Sequence, residues 1–493
     1  MLGGPNFIQA APPNQRQRII YRTAPGQALR NAGPSVLVRP PNPTNRMGVV
    51  PMSITTSQMG RVITSSEAIK ANRQAQTIAV KRDAQIKIRE YQREQRRAEM
   101  VLFNQSQTCP IGIQKSLRDR LGKIRSQEFK ALVRNEFYNP SVMEAAMCVT
   151  ESISYTPPTE KGGVSSNFRI KRWIKNLNKI GAESVEGFAL RGDFDRSKNT
   201  FIVKSPQDSR NPTLLHEYII GVYGLNQIRK IIPNFAYILG GFRCSMPVVD
   251  DETNKVSAWC NNNKYPIDYV VYENIVPSET MKAWVTRNCN FKDWLTYYLQ
   301  ILYATQIAAD ITDYTHYDLH DENVLRRKIS NSSKSFAIPY KTENGTEYLI
   351  TDAVATIIDY GLAHIKHKGD NFGVYDRLAW SVFPNRSFPL YDAYKFLLMS
   401  MRTMLQNNKT ECFYKASQIL KFFNNQESPV DIISKQGKTY YYLPYNPNTA
   451  KFKIYDLTKY IRKIFDTSSI LVPAKPPGRI LGCQGTDVCI SGH

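Results

Sequence analysis

The sequence contains no run of 18 consecutive apolar residues and no apolar stretch behind a basic start, so neither a membrane span nor a secretory leader is expected. Cysteine is sparse, with eight residues at 109, 148, 244, 260, 289, 412, 483 and 489 in a chain of 493. Only Cys483 and Cys489 are close, and no second Cys or His pair lies near them apart from His493. That spacing argues against a disulfide scaffold and a zinc site, and for a reducing compartment. There is no internal repeat and no lipidation box, and Leu2 stands where N-myristoylation needs glycine. Acidic residues are also scarce. Against 65 Lys and Arg there are 42 Asp and Glu, a net charge of +23, so an acidic partner such as nucleic acid, an anionic membrane surface or an acidic protein is expected.

The first 60 residues carry six Lys or Arg, no Asp or Glu, and repeated Pro and Gly, which predicts a disordered or wrapped basic arm over 1–60. Its aromatics before residue 90 are Phe7 and Tyr21 alone, too few for a base-stacking platform. The first 100 residues hold 16 basic against five acidic side chains, so the rest of the surface must be basic too.

Further along, Ser65–Met100 has no Pro or Gly and is rich in helix formers, predicting one long helix with a thin stripe of Ala68, Ala71, Ile78, Ala79, Ala84, Ile86 and Ile88. Such a helix should lie on a partner or on the later domain. Two more helices are expected between Ile111 and Cys148, and Pro157, Pro158 and "TEKGGVSS" mark a linker near 165. The stretch 61–165 is thus expected to be a helical extension. From 166 to 275 the texture is strand-like ("GFALRGDF", "NTFIVKS", "YILGGFRC", "DYVVYEN"), interrupted by one helix that Asn211 and Pro212 would begin. From 276 to 470 it is mostly helical, starting with Asn290–Thr312, with "KTYYYLPY" as a strand and "LTKYIRKIF" as a helix. The Pro- and Gly-rich stretch 471–493 is expected to be a flexible tail.

Directly after the long apolar helix stands "THYDLHDENVLRR", with His316, Asp318 and Asn323 in the pattern H-x-D-x-x-x-x-N. A loop of this kind sets a carboxylate to receive a hydroxyl proton and, five residues on, an amide oxygen to hold a divalent ion. Taken alone it is also compatible with a polar turn. In "ATIIDYGLAHI" an apolar strand then delivers Asp359 into a turn with Tyr360 and Gly361, as a second metal-binding carboxylate would be presented to phosphates.

In this order the two motifs resemble the protein kinase superfamily, and the resemblance covers roughly 175–400. It implies an α+β, bilobal protein-kinase-like fold behind a basic, partly disordered and helical N-terminal extension, with 166–275 as N-lobe and 276–470 as C-lobe. It casts Asp318 as the catalytic aspartate, His316 as the histidine buttressing its loop, and Asn323 and Asp359 as ligands of Mg²⁺ or Mn²⁺. Lys204 of "FIVKS" and Glu217 of "LLHEYI" become the lysine–glutamate pair that holds the ATP phosphates. Gly181, Ser184 and Gly187 would form an irregular phosphate-covering loop in which Glu183 or Ser184 replaces the middle glycine. The backbone near Glu273 and Ile275 would meet adenine, and Asp392 would anchor the catalytic loop. Tyr317, where an arginine reads activation-loop phosphate in the family, implies no such control. Asp359 follows Asn323 by 36 positions, about twice the family's separation, so "KISNSSKSFAIPYKTENGTE" is expected as an inserted surface hairpin or loop; no alanine-proline-glutamate motif follows.

His320 and these departures resemble the serine/threonine kinases of large nucleocytoplasmic DNA viruses, and also small-molecule phosphotransferases of the same fold. The resemblance implies transfer of the ATP γ-phosphate to Ser or Thr of protein substrates, with Tyr left open. It suits a viral, virion-packaged or host-cytoplasmic enzyme whose basic N-terminal region binds nucleic acid, an anionic membrane or a capsid component. A small-molecule kinase, and a catalytically silent tethering protein, are the alternatives.

Overall fold

The computed structural model describes residues 65–106, 174–181, 187–194, 197–207, 213–244, 247–259, 267–329, 335–375, 377–378, 381–423, 429–434, 443–445, 451–478 and 480–481. The basic arm, the helices expected between 111 and 148 and the linker near 165 lie outside them. The chain divides into a unit Met1–Ala71, of which only the start of one helix is described, and a compact unit Asn72–His493. The compact unit is α+β.

Its first sheet has five antiparallel strands: β1 (Ile174–Ile180), β2 (Gly187–Phe194), β3 (Ser197–Pro206), β4 (Ile238–Cys244) and β5 (Ile267–Glu273), in the order β1-β2-β3-β5-β4. Alternation of apolar and polar residues sets the register; in β3, Phe201 and Val203 are buried while Ile202 and Lys204 are only partly so. Gly187 has a packing reason to be glycine, since a Cβ there would sit 2.2 Å from Ser205 O on β3. Between β3 and β4 lies α2 (Thr213–Ile219), which passes through a π-helical turn (Ile220–Leu225) into a last short turn (Asn226–Arg229). Its inner face, including Leu214, Tyr218 and Ile219, is buried.

The helical part is built around α3 (Phe291–Thr312), whose Asn290 cap accepts N–H bonds from Lys292 and Asp293 and whose C-terminus is closed by Asp313 in the left-handed conformation. It is apolar on most of its circumference and correspondingly enclosed. Across it pack α4 (Pro389–Gln406), α5 (Thr410–Ile419) and α6 (Ile454–Ile464). No helix among the described residues is long and apolar enough to cross a membrane. Cys289 and Cys412 are both free thiols.

Two strands carry the chain through the candidate site: β6 (Val324–Lys328) and, after an inserted hairpin of β7 (Phe336–Thr342) and β8 (Gly345–Thr351), β9 (Ala353–Ile357). The insertion is a hairpin, as expected, but it is not a surface ornament. Phe336, Ile338 and Tyr340 are buried, and the Tyr340 hydroxyl donates to Asn234 Oδ1 (2.8 Å), whose amide nitrogen reaches Ala355 O (3.0 Å). Alternate apolar residues on β7 require that burial. Of the stretch expected to be a flexible tail, the described residues are in part held: Leu471 and Val472 pair with Leu349 and Tyr348 of β8, and Leu481 is buried with its N–H on Ala337 O, while 482–493 lie outside the described residues. "KTYYYLPY" falls outside the described residues except for Leu443–Tyr445, which are not strand.

The N-terminal helix, α1, spans Ser65–Ser106. Ile78 and Ile86 of the expected stripe are exposed. The face that docks comes later: Ala98, Leu102 and Phe103 pack on the core, Phe103 meets Tyr218 edge-on, and Tyr223 OH donates to Leu102 O. At the centre of this contact His216 Nδ1 lies 2.9 Å from Glu99 Oε1, and its Nε2 lies 2.8 Å from Ala363 O.

Both ring nitrogens therefore face acceptors, which suits the imidazolium. Burial pulls the His216 pKa down, but the hydrogen bond and charge of Glu99 outweigh it, and the net shift is upward. A raised folded pKa stabilises the docked helix fully below the unfolded value near 6.5, and that stabilisation is lost as pH rises through the folded value. The unsubstituted chain should thus exceed Glu99→Gln in unfolding free energy by about 1.5–3 kcal/mol at pH 6, with the gap closing at alkaline pH. Denaturant unfolding at several pH values measures it; a pH-independent gap would contradict the charged pair.

Candidate active site

Antiparallel pairing of β9 with β6 sets Ile357 opposite Val324. The residues just beyond each strand end are thereby brought together: Ile358 N–H donates to Asn323 O at 3.0 Å, so Asn323 and Asp359 emerge side by side although 36 positions apart. His316 ties the same two segments. Its Nε2–H donates to Ile358 O (2.9 Å) and its Nδ1 accepts from Asp318 N (3.2 Å), a pattern only the neutral ring supplies, in keeping with burial pulling its pKa down.

Asp392, near the start of α4, accepts from His316 N (2.7 Å) and Tyr317 N (2.8 Å). These bonds hold Tyr317 at a φ of +59°, a left-handed conformation costly for a bulky side chain. Asp359 is left-handed as well, with φ +68°. Burial pushes the Asp392 carboxyl up to about 7 even against those two N–H donors.

From the sheet side, Lys204 on β3 reaches Glu217 Oε1 (2.6 Å) and Asp359 Oδ1 (2.7 Å) at once. Glu217 is 2 % exposed and also accepts from Tyr272 OH and Tyr360 N. Burial lowers the Lys204 pKa, yet the charges of Asp359 and Glu217 outweigh it and hold the ammonium well above its usual range. Burial raises the Glu217 pKa, with Lys204 pulling back; for Asp359 burial also pushes up, but Lys204 wins and the carboxylate is held below its usual value. Tyr360 uses its hydroxyl: it lies 2.8 Å from Ala236 O and 3.0 Å from Ile357 O, so a buried polar atom is satisfied.

Asp318 carries a half-exposed carboxylate, and its main-chain oxygen accepts from Asn323 Nδ2 (3.0 Å). With its nitrogen spent there, Asn323 has its amide oxygen left to face an ion. Asn323 and Asp359 offer hard oxygen donors suited to Mg²⁺ or Mn²⁺, which bind with few protein ligands and complete their shell from water and phosphate. Among the described residues no group of three or more His, Cys, Asp or Glu could hold a metal on its own.

The sequence thus named residues that meet: Lys204, Glu217, His316, Asp318, Asn323, Asp359 and Asp392. The expected nucleotide contacts are more mixed. Gly181 turns out of β1 with φ +69° and is exposed, Gly187 packs on β3, and Ser184 and Glu183 lie outside the described residues. The Glu273 N–H, on the backbone expected to meet adenine, is spent on Tyr237 O (3.0 Å), and its carboxylate is buried on Tyr237 N and Arg327. Ile275 is buried at the strand exit with its carbonyl taking the Ser278 hydroxyl. Sequence reasoning missed Lys395, Tyr272 and the Glu99–His216 pair. Lys395 carried a usable signal, since it stands three residues after Asp392 and so on the same helix face; the others carried none.

No family model matches the chain. It is 23% identical over 265 residues to "Probable kinase 098L" of Invertebrate iridescent virus 3, a match covering 53% of this chain and 45% of that protein. It is also 26% identical over 221 residues to "Uncharacterized protein 038R" of the same virus, covering 42% and 37%, and 26% identical over 192 residues to "Uncharacterized protein 179R" of Invertebrate iridescent virus 6, covering 39% and 15%. The chain spans less than half the length of these curated relatives, and what the first of them supports is a kinase-like viral kinship.

Proposed function

We propose that this chain is an ATP-dependent phosphotransferase of bilobal, kinase-like fold that passes the γ-phosphate to Ser or Thr of proteins. The observation that carries the reading is the meeting of Lys204, bound to Glu217 and Asp359, with a loop that presents Asp318 and Asn323 next to Asp359. On this reading 166–275 forms the smaller lobe and 276–470 the larger. Asn323 and Asp359 would hold Mg²⁺ or Mn²⁺, which with ATP supplies the transferable phosphoryl group and offsets its charge.

The chain's own residues do the rest. Lys204 pairs with the phosphates, positioned by Glu217; Asp318 orients the acceptor hydroxyl and takes its proton; His316 and Asp392 keep the loop in its strained shape. The viral relative named as a kinase favours this reading over a silent scaffold, as does the presence of every polar group the chemistry needs. By the same reading the enzyme serves a virus, in the virion or host cytoplasm, and its basic N-terminal region holds nucleic acid, an anionic membrane or a capsid component.

The test is transfer from γ-labelled ATP, with Mg²⁺ or Mn²⁺, to a panel of acidic and basic proteins, followed by identification of the labelled amino acid. Label on phosphoserine or phosphothreonine is expected. Label on small hydroxyl compounds alone would move the reading to a small-molecule kinase, and no nucleotide binding at all would leave a basic scaffold.

A further inference from the structure

We propose that Lys395 is a positioning residue for phosphoryl transfer: from α4 it supplies the cation that orients the Asp318 carboxylate and offsets the charge gathering beside it. The inference rests on the phosphotransferase reading. Helix α4 approaches the loop through Asp392, and one turn later Lys395 extends along the same face. Its Nζ lies 2.5 Å from Asp318 Oδ1 and 3.4 Å from Tyr317 O, while its side chain is only 8 % exposed.

An ammonium buried to that degree is costly unless paired, and an apolar side chain of similar size would fill the space without the cost. Its use is therefore to be sought in Asp318. Among the described residues, Lys395 is the one lysine or arginine within ion-pair distance of that carboxylate; Lys204 is committed to Glu217 and Asp359. The other oxygen, Oδ2, faces His320 Nε2 at 3.9 Å and stays open to an acceptor.

In the transfer step the acceptor oxygen bonds to the γ-phosphorus as the bond to the β–γ bridging oxygen breaks. ADP leaves with that electron pair, and the hydroxyl proton passes to Asp318 Oδ2. Without Lys395, a bare carboxylate would face an incoming polyanion. With it, Oδ1 is fixed, Oδ2 points at the hydroxyl, and the local charge is balanced throughout.

The experiment compares Lys395→Met, Lys395→Gln and Lys395→Arg in the full chain for kcat, KM, MgATP affinity and thermal unfolding. Lys395→Met and Lys395→Gln are expected to lose about 10²–10³ in kcat, with MgATP affinity and unfolding midpoint near those of the unsubstituted chain, and Lys395→Arg to recover a substantial part of the rate. A folded neutral variant that keeps kcat within about threefold overturns the proposal. So does a parallel loss of MgATP affinity, which would assign the lysine to the nucleotide, or unfolding of both neutral variants, which would assign it to the fold. If the unsubstituted chain binds MgATP but transfers nothing, the phosphotransferase reading itself fails, and the proposal with it.

Discussion

Asp318→Asn is expected to abolish nearly all transfer, lowering kcat by about 10²–10⁴, the usual contribution of a positioned general base, while leaving the protein folded and able to bind MgATP. The carboxylate is 36 % exposed, and the loop is held by other atoms: Asp392 on the backbone of His316 and Tyr317, and Asn323 on the Asp318 carbonyl. Asparagine keeps the shape, the backbone bonds and an amide oxygen as a neutral acceptor for Lys395 Nζ, and removes the charge, with it the ion pair to Lys395, and the proton acceptor. Single-turnover transfer at saturating MgATP isolates the chemical step. Retention of more than about a tenth of the rate would remove Asp318 from the role of base and the H-x-D loop from the mechanism.

Lys204→Met should cost as much in rate by a different route, about 10²–10³, because it removes the cation shared by Glu217 and Asp359. Here nucleotide affinity should fall too, which separates it from Asp318→Asn. The stability cost is moderated by the chemistry of Glu217. Burial already pushes its carboxyl upward, so when Lys204 no longer opposes that push Glu217 can take a proton instead of remaining a buried anion. The variant should therefore hold its fold best at mildly acid pH and lose stability as pH rises, since the folded state then binds the proton that the unfolded state releases. A variant that keeps both MgATP affinity and rate would falsify the assignment of Lys204 to the phosphates.

The parts of the site that could be read from the sequence are those fixed by local geometry. Asp318 and Asn323 share one loop; Asp359 ends an apolar strand; Lys204 and Glu217 need only a strand, a turn and two turns of helix between them. Asp392 was legible because it opens an apolar helix behind Pro389. What could not be read depends on the path of the chain in space. Lys395 meets Asp318 across 77 positions, and Glu99 meets His216 across 117. An inserted hairpin or loop was legible from the 36 positions between Asn323 and Asp359, yet its burial follows from Tyr340 finding Asn234, 106 positions away. Likewise Gly187 satisfied a glycine pattern, while its structural reason is the closeness of β2 to β3.

The docking of α1 also bears on the order in which the protein is made. At about 5–20 residues per second of synthesis, Glu99 is polymerised roughly 6–23 s before its partner His216, 117 positions later. A helix with a broad apolar face would spend that interval seeking any surface. This one is rich in Ala, Gln, Arg and Glu, so it can stay helical and hydrated on its own, and its few apolar docking residues commit only when the Glu217 helix is in place. Docking of α1 is therefore expected to follow formation of the Glu217 helix, and it closes a contact that touches, through His216 and Ala363, both that helix and the segment that follows Asp359.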